Sequence, residues 1–279
     1  MIAAPALEDW FPDDYLHGDR FAALGDFRIT ADSGATPAEV VREGKVLYCK
    51  TDRLGELFAI IRSRQRPCIL ITHNSDHNVT KALFASRPPC VRHWFAQNAL
   101  VEHPDLTPIP IGVERPHVSG GRTRPEVFRA VASREPRTIR NLACLIHADW
   151  TNRWARMPVR WALSRRSWIT CSQGGAPFAQ YLEQVFQHRA VVSPPGNGVD
   201  CHRTWEALYL GVVPLVKAGP AMCYFARLLP IAIFDRLTML TRRSVERSIE
   251  QMSQRGSAQA LRFSWWADLI ANTGAELCG

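Results

Sequence analysis

Hydrophobic positions along this chain fall into two kinds of run. Short apolar stretches rich in β-branched residues read as buried strands: "KVLYCK" from Lys45, "CILITHN" from Cys68, "LTPIPIGV" from Leu106, "NLACLIHA" from Asn141, "WITCS" from Trp168, "AVV" from Ala190 and "GVVPLV" from Gly211. Longer segments place apolar residues on one helical face. "DRLGELFAIIRSR" from Asp52 carries Leu54, Leu57, Phe58 and Ile61 at helical spacing, and "RWARMPVRWALSRR" from Arg153 and "APFAQYLEQVFQ" from Ala176 read as further helices. "HWFAQNA" from His93 fits either a helix or a strand. Strand and helix in alternation predict an α/β protein with parallel sheets covered on both faces. The alternation stops at "ERPHVSGGRTRPEVF", Glu114 to Phe128, where Gly, Pro and Arg crowd together without periodicity, and this marks a long loop or linker. Dividing the chain there gives residues 1–127 and 128–279, two α/β halves. They suggest two facing nucleotide-fold domains with a cleft between them, or else one larger doubly wound sheet.

The most informative interruption is "SPPGNGVDCHRTWEAL", Ser193 to Leu208. It joins the strand at Ala190 to the strand at Val212 through a glycine loop and a helix of about ten residues, for which Asp200 is the expected N-cap. In such a unit the loop lies at the carboxyl end of a parallel sheet, where open α/β folds bind ligands. Gly196 and Gly198 can adopt positive φ and admit a ligand to bare backbone, with Asn197 between them. The helix start offers free N–H groups to an anion. Arg203 and Glu206, three apart, share a helical face. This suits a nucleotide diphosphate, with Arg203 on the phosphates and Glu206 on the ribose hydroxyls. An ordinary crossover with a surface ion pair fits the spacing equally well.

The formal charge of +8 and a pI near 9.3 add an anionic partner to the picture. A nucleotide-linked substrate, nucleic acid and an acidic membrane face all qualify. No helix-turn-helix, zinc-finger or RNP-like pattern is present, which argues against a dedicated nucleic-acid role. Eight cysteines without a CxxC pair fit reduced, buried thiols in a cytoplasmic protein. No secretory leader is visible, and the best apolar run, "LLPIAIF" from Leu228, is far too short to cross a bilayer.

Other residues carry candidate chemistry. "THNSDHN" follows a strand, so Thr72 to Asn78 belongs at a carboxyl strand end; Asp76 or His73 is placed to act as a general base there, or the segment is an Asx-rich turn capping the next helix. His73 and His77 have i, i+4 spacing, but no third metal ligand is evident, and no metal site is expected. His147, Asp149 and Asn152 follow the first strand of the second half and are candidates to line the pocket at the glycine loop, or the histidine is a buried one satisfied by local hydrogen bonds. His202, beside Arg203, either meets phosphate or covers the helix start. Trp265 and Trp266 read as core anchors of a final helix in preference to a membrane-interface contact.

"SPPGNGVDCHRTWEALYLGVVPLVK" resembles the donor-site motif of exostosin-like glycosyltransferases, in which a strand ending in Ser/Cys-Pro leads to a Gly-containing loop, an Arg, a Glu-Ala-Leu helix and Gly-x-x-Pro. "FAQYLEQVFQHRAVVSP", "TNRWARMPV", "ILITHNSDHNV", "WFAQN", "IPIGVE", "LPIAIFDRLTMLT" and "FSWWADLI" are similar to other segments of that family, in patches from about Ile69 to Ile270. The resemblance implies a GT-B fold: two Rossmann-like domains, acceptor mainly on the first and nucleotide sugar mainly on the second. It implies Arg203 on the diphosphate, Glu206 on the ribose and Arg156 reaching the diphosphate from a neighbouring loop. No cofactor is then expected, since the nucleotide-diphosphate sugar is the donor substrate, and an inverting transfer to a saccharide or lipid-linked acceptor hydroxyl is preferred. Surface polysaccharide or lipopolysaccharide synthesis at the cytoplasmic side, with peripheral contact to an anionic membrane, is the implied setting. Two rivals remain: a non-catalytic nucleotide- or saccharide-binding relative, and a basic nucleic-acid-binding protein.

Overall fold

The computed structural model describes residues 14–29, 43–134, 139–147, 151–253 and 258–278. These residues build two separate five-stranded parallel sheets, which excludes the single larger sheet. The first runs β1 (Phe27–Ile29), β2 (Val46–Cys49), β3 (Cys68–Thr72), β4 (Val91–Ala96), β5 (Leu106–Pro108), in spatial order of sequence. Its connections carry α1 (Gly18–Ala23), ahead of β1, and α2 (Leu54–Ile61) and α3 (Lys81–Ala85). The second contains β6 (Asn141–His147), β7 (Ile169–Gln173), β8 (His188–Val192), β9 (Val213–Lys217) and β10 (Ala232–Phe234), in the order β10-β9-β8-β6-β7. With it go α4 (Pro125–Ala132), α5 (Arg153–Leu163), α6 (Phe178–Phe186), α7 (His202–Tyr209), α8 (Pro220–Leu228), α9 (Arg242–Ser253) and α10 (Phe263–Cys278).

The apolar runs become these strands because each side of a covered sheet demands a buried side chain. In β3 every residue is buried. The residues of β6 serve two layers: Leu142, Ala143 and Leu145 join one apolar cluster with Val159 and Leu163 of α5 and Val245 and Ile249 of α9. Cys144 and Ile146 face the other way, into a cluster that also holds Trp205, Phe225 and the first sheet's Leu70 and Phe95. One continuous core therefore reaches from the first sheet to one face of the second. "HWFAQNA" resolves as the end of β4 and the turn after it; Val91, Trp94, Phe95 and Ala96 are buried, as a central strand requires.

The proposed linker is shorter than its composition suggests. Turns occupy 116–123, but Pro125 opens α4, where proline at the first turn is tolerated and Phe128, Val131 and Ala132 supply a buried face. A boundary at 127/128 runs through this helix. The last helix, α10, packs on β3 and β4 of the first sheet. There Trp266 is fully buried, donates from Nε1 to the Ala260 carbonyl at 2.9 Å and meets Phe225 edge-on, while Trp265 is half-buried beside it.

Tyr209, at the end of α7, joins three segments distant in sequence. Its hydroxyl accepts from the Leu16 N–H and donates to the Leu261 carbonyl, each at 2.8 Å, and all three residues are buried. Tyr209→Phe strands both backbone groups, so we expect a loss of about 1–3 kcal/mol in denaturant-unfolding free energy.

Candidate functional site

In the second sheet the chain leaves β6 toward β7 on one side and returns to β8 on the other, so the connections after β6 and β8 diverge and leave a crevice at their carboxyl ends. Both connections carry polar residues into it. Asn152, in the left-handed region at φ 41°, accepts from the Ala155 N–H at 3.3 Å to cap α5, and its Nδ2 donates to the Gly196 carbonyl at 2.5 Å. One turn on, Arg156 Nε donates to the Pro195 carbonyl at 3.1 Å. The "TNRWAR" segment thus clamps the glycine loop that sequence spacing brought to notice. Asp149 and the His147 side chain lie outside the described residues.

Two expectations about the loop are corrected. Neither Gly196 nor Gly198 has positive φ. Gly198 is required by space: a Cβ there would come within 2.3 Å of Asn98 Nδ2. Asp200 does not cap α7; Cys201 occupies the cap position and no side chain caps the helix. The Asp200 carboxylate turns inward. It accepts from the Ile111 N–H at 2.8 Å and from Trp205 Nε1 at 2.9 and 3.0 Å, while the Asp200 N–H donates to Asn98 Oδ1 at 3.0 Å. Asn98 Nδ2 in turn donates to the Ser75 carbonyl at 3.1 Å. Burial pushes the Asp200 carboxyl up to about 6, against the stabilising pull of those donors.

Arg203 and Glu206 share a face, as their spacing predicts, and Tyr181 of α6 links them. The Tyr181 hydroxyl donates to Glu206 Oε2 at 2.7 Å and accepts from the Arg203 guanidinium. Burial raises the Glu206 carboxyl above its usual range, although His202, Tyr181 and Arg203 favour its charge. Burial opposes the Arg203 charge too, yet Tyr181, Cys201 and Glu206 outweigh it and hold the guanidinium above its usual value. Arg156 is lowered, by burial first and then by the nearby charge of Arg203. Arg203 Nε is buried and has no hydrogen-bond partner among the described residues. Arg156, seated on the Pro195 carbonyl, thus feels the charge of Arg203, and Arg203 keeps a buried donor left over.

A cavity of about 420 Å³ lies against this region, at the carboxyl ends of the first sheet. Lys50 and Asp52 enter it after β2, His73 to His77 after β3, Gln97 after β4, and Glu114 and Arg115 after β5; His202 comes from the start of α7. Asp76 is exposed and accepts from Asn197 Nδ2 at 2.9 Å, so the glycine loop touches the turn after β3. His73, by contrast, is 1% exposed with both ring nitrogens engaged. Nε2 donates to the Pro110 carbonyl at 2.9 Å, and Nδ1 accepts from the Asn74 N–H at 2.7 Å. Burial lowers its pKa to about 4. The Asx-rich turn does not cap α3; Thr80 does, accepting from the Leu83 N–H at 3.2 Å. His73 and His77 lie off any helix, and among the described residues no group of three or more His, Cys, Asp or Glu side chains could hold a metal ion.

His202 neither caps the helix nor points toward the Arg203 pair. Its Nδ1 donates to the Gly112 carbonyl at 2.7 Å and its Nε2 lies 3.5 Å from Glu114 Oε2. Sequence reading missed Glu114, Gln97, Lys50, Asp52, Arg115 and Tyr181. All but Tyr181 follow a strand of the first sheet, so the rule that ligands bind at carboxyl strand ends is the signal that finds them. Gln97 is 2% exposed, and its Oε1 has no hydrogen-bond partner among the described residues.

No family model matches the chain, and no curated protein sequence matches it. Among solved structures it is similar to an α,α-trehalose-phosphate synthase (UDP-forming) from Burkholderia vietnamiensis, at 9% identity and a TM-score of 0.47, over 83% of this chain and 71% of that one.

The Glu114–His202 contact makes stability depend on pH. The hydrogen bond to His202 holds Glu114 down to about 2, so its contribution is present above the ordinary carboxylate range and fades as pH falls toward about 2. Burial alone would depress His202, but Glu114 and Glu206 raise it; that contribution is full below the ordinary histidine value and fades as pH rises through the raised one. The difference in Tm between wild type and Glu114→Gln should therefore peak between about pH 5 and 6.5 and shrink on both sides. A difference independent of pH would show that the two groups do not interact in solution.

Proposed function

We propose that this protein is a GT-B-type glycosyltransferase that moves a sugar from a nucleotide diphosphate to a hydroxyl group, as its resemblance to exostosin-like enzymes implies. One observation carries the reading: Arg156 is anchored on the loop at the strand-order reversal within the electrostatic reach of Arg203, whose Nε is buried and unpartnered among the described residues. An anion seated between them satisfies that donor and relieves their repulsion, and the two cations suit a diphosphate. Glu206, oriented by Tyr181, then meets the ribose. Asn152 and Asn197 hold the loop in place, and Gly198 lets it approach Asn98. Asp200 fixes the loop's far end by its own hydrogen bonds.

The acceptor occupies the cavity at the first sheet. Its wall is polar, and the unpartnered Gln97 Oε1 takes a hydrogen bond from a ligand hydroxyl, which favours a saccharide or a lipid-linked saccharide. Asp76 is the base. It is exposed and beside the loop, whereas His73 is enclosed with both nitrogens taken. Asp76 removes the hydroxyl proton as the oxygen attacks the anomeric carbon. The bond from that carbon to the diphosphate breaks, and its electron pair leaves with the nucleotide diphosphate, whose growing charge Arg156, Arg203 and the α7 N-terminus stabilise. Attack opposite the leaving group inverts the anomeric configuration. No cofactor takes part in this scheme, and no step in it calls for a metal. The unbridged thiols at Cys49, Cys90 and Cys144 support a reducing compartment, and no described helix is long and apolar enough to cross a membrane.

A thermal-shift panel of UDP, GDP, ADP and CMP and their sugar conjugates, with and without EDTA, tests the donor site. One nucleotide diphosphate should raise Tm without regard to EDTA, and Arg203→Ala should weaken its binding about 10- to 100-fold while the protein remains folded, as expected for a lost charged hydrogen bond. Binding unchanged by Arg203→Ala overturns the donor site. Asp76→Asn should retain nucleotide affinity and lower turnover by about 10²–10⁴-fold. Nucleotide affinity with no turnover from wild type, whatever stands at position 76, identifies the non-catalytic relative instead. Affinity for oligonucleotides that ignores Arg203 and Glu206 identifies the nucleic-acid reading.

A further inference from the structure

Helix α5, whose first turns clamp the glycine loop, presents an unusual outer face. Trp154 is 92% and Trp161 71% exposed. At about 100° per residue, Trp154, Pro158 and Trp161 fall within about 60° of one another around the axis, while Val159 and Leu163 lie opposite and are buried against the second sheet. Pro158 lacks the N–H that would pair with the Trp154 carbonyl, so that carbonyl is left outward beside the ring. Arg153 and Arg165 are exposed at either end of the stripe. The helix packs on a 3-10 turn, Leu237–Met239, in which Met239 is 68% exposed and Arg236 is exposed beside it, and exposed Arg243 follows.

Apolar residues exposed one by one need no explanation, but two tryptophans aligned on one helical face, with a methionine nearby and arginines around them, do. Tryptophan is the residue that settles at the boundary of lipid and water, with its ring among the acyl chains and its N–H toward the headgroups. Arginines flanking such a stripe are attracted to anionic headgroups, and the chain as a whole carries +8. A nucleic-acid groove would call for basic residues along a concave track, whereas this face is the convex side of one helix. We propose that the outer face of α5, together with Met239, is a docking surface for an anionic lipid bilayer, with Trp154 and Trp161 inserted at the interface. The inference stands without the glycosyl-transfer reading. With it, the bilayer would lie next to the loop clamped by Asn152 and Arg156, which suits an acceptor carried on a lipid.

The test is flotation of the full chain with vesicles of phosphatidylcholine alone or with about 30 mol % phosphatidylglycerol. Wild type should float with the anionic vesicles, remain in solution with the neutral ones and be released by about 0.5 M salt. Trp154→Ser/Trp161→Ser should bind at least about tenfold more weakly with unchanged Tm, since both side chains lose their apolar contact. Brominated lipid should quench wild-type fluorescence and leave that variant's nearly unaffected. Arg153→Glu/Arg165→Glu should also release the protein, and Arg92→Glu, an exposed charge on β4, should not. The proposal is overturned if wild type ignores anionic vesicles, if the double tryptophan variant floats like wild type, or if Arg92→Glu releases the protein as fully as the α5 charges. It is also overturned if the tryptophans govern association with an oligonucleotide or with a second copy of the chain, read by gel filtration, and not with vesicles.

Discussion

A buried carboxylate ties the two sheets of this protein together. Asp200 is 2% exposed, and an ionised group so placed must be given donors or be displaced. It receives them from both sides: the Ile111 N–H after the first sheet, and the Trp205 indole on α7 of the second. Its own N–H reaches Asn98, which holds Ser75. The loop after β8, the turn after β3 and the segment after β5 are thereby fixed against one another. Burial raises the Asp200 pKa only to about 6, so the charge and its hydrogen bonds persist at neutral pH.

The chemistry of the region follows from that constraint. Once Asp200 pins the start of α7, residues 202, 203 and 206 have set directions. His202 faces Glu114 across the cavity, while Arg203 and Glu206 turn toward Tyr181 and Arg156. Polar groups thus gather in two neighbouring places: a cavity of mixed charge at the first sheet, and a corner by α7 where Arg203 and Arg156 stand with Glu206. The glycine loop touches Asp76 through Asn197, so the two places share a wall.

Much of the fold was legible because buried strands write themselves as apolar runs: β2, β3 and β6 lie within the stretches read that way, and β7, β8 and β9 overlap theirs but run past them at polar ends such as Gln173, His188 and Lys217. The exceptions have physical causes. The turn after β4 contains Gln97 and Asn98, which look like a helix surface but turn into the cavity and the interface between the sheets. The helix at Pro125 was hidden behind a Gly- and Arg-rich turn. At the site, Arg203, Glu206, Asn152 and Arg156 were brought to notice by spacing and resemblance, since all four lie beside a single loop. Local pattern misjudged Asp200 because Asp before a helix is usually a cap; that its side chain turns instead toward Ile111, far off in sequence, is a tertiary fact. His73 has the residue type of a base, and only the Pro110 carbonyl and Asn74 N–H beside it show that both nitrogens are spent. Gly198 was expected to supply backbone freedom, yet what it supplies is room for Asn98.

Arg156 and Arg203 are proposed to hold a diphosphate, and calorimetric titration of the folded wild-type protein with nucleoside diphosphates and with the matching nucleosides tests that role. One diphosphate should bind at least about 100-fold more tightly than its nucleoside, as expected when two charge-assisted contacts carry the affinity. Equal affinity for a diphosphate and its nucleoside, or no heat with any of them, would contradict it.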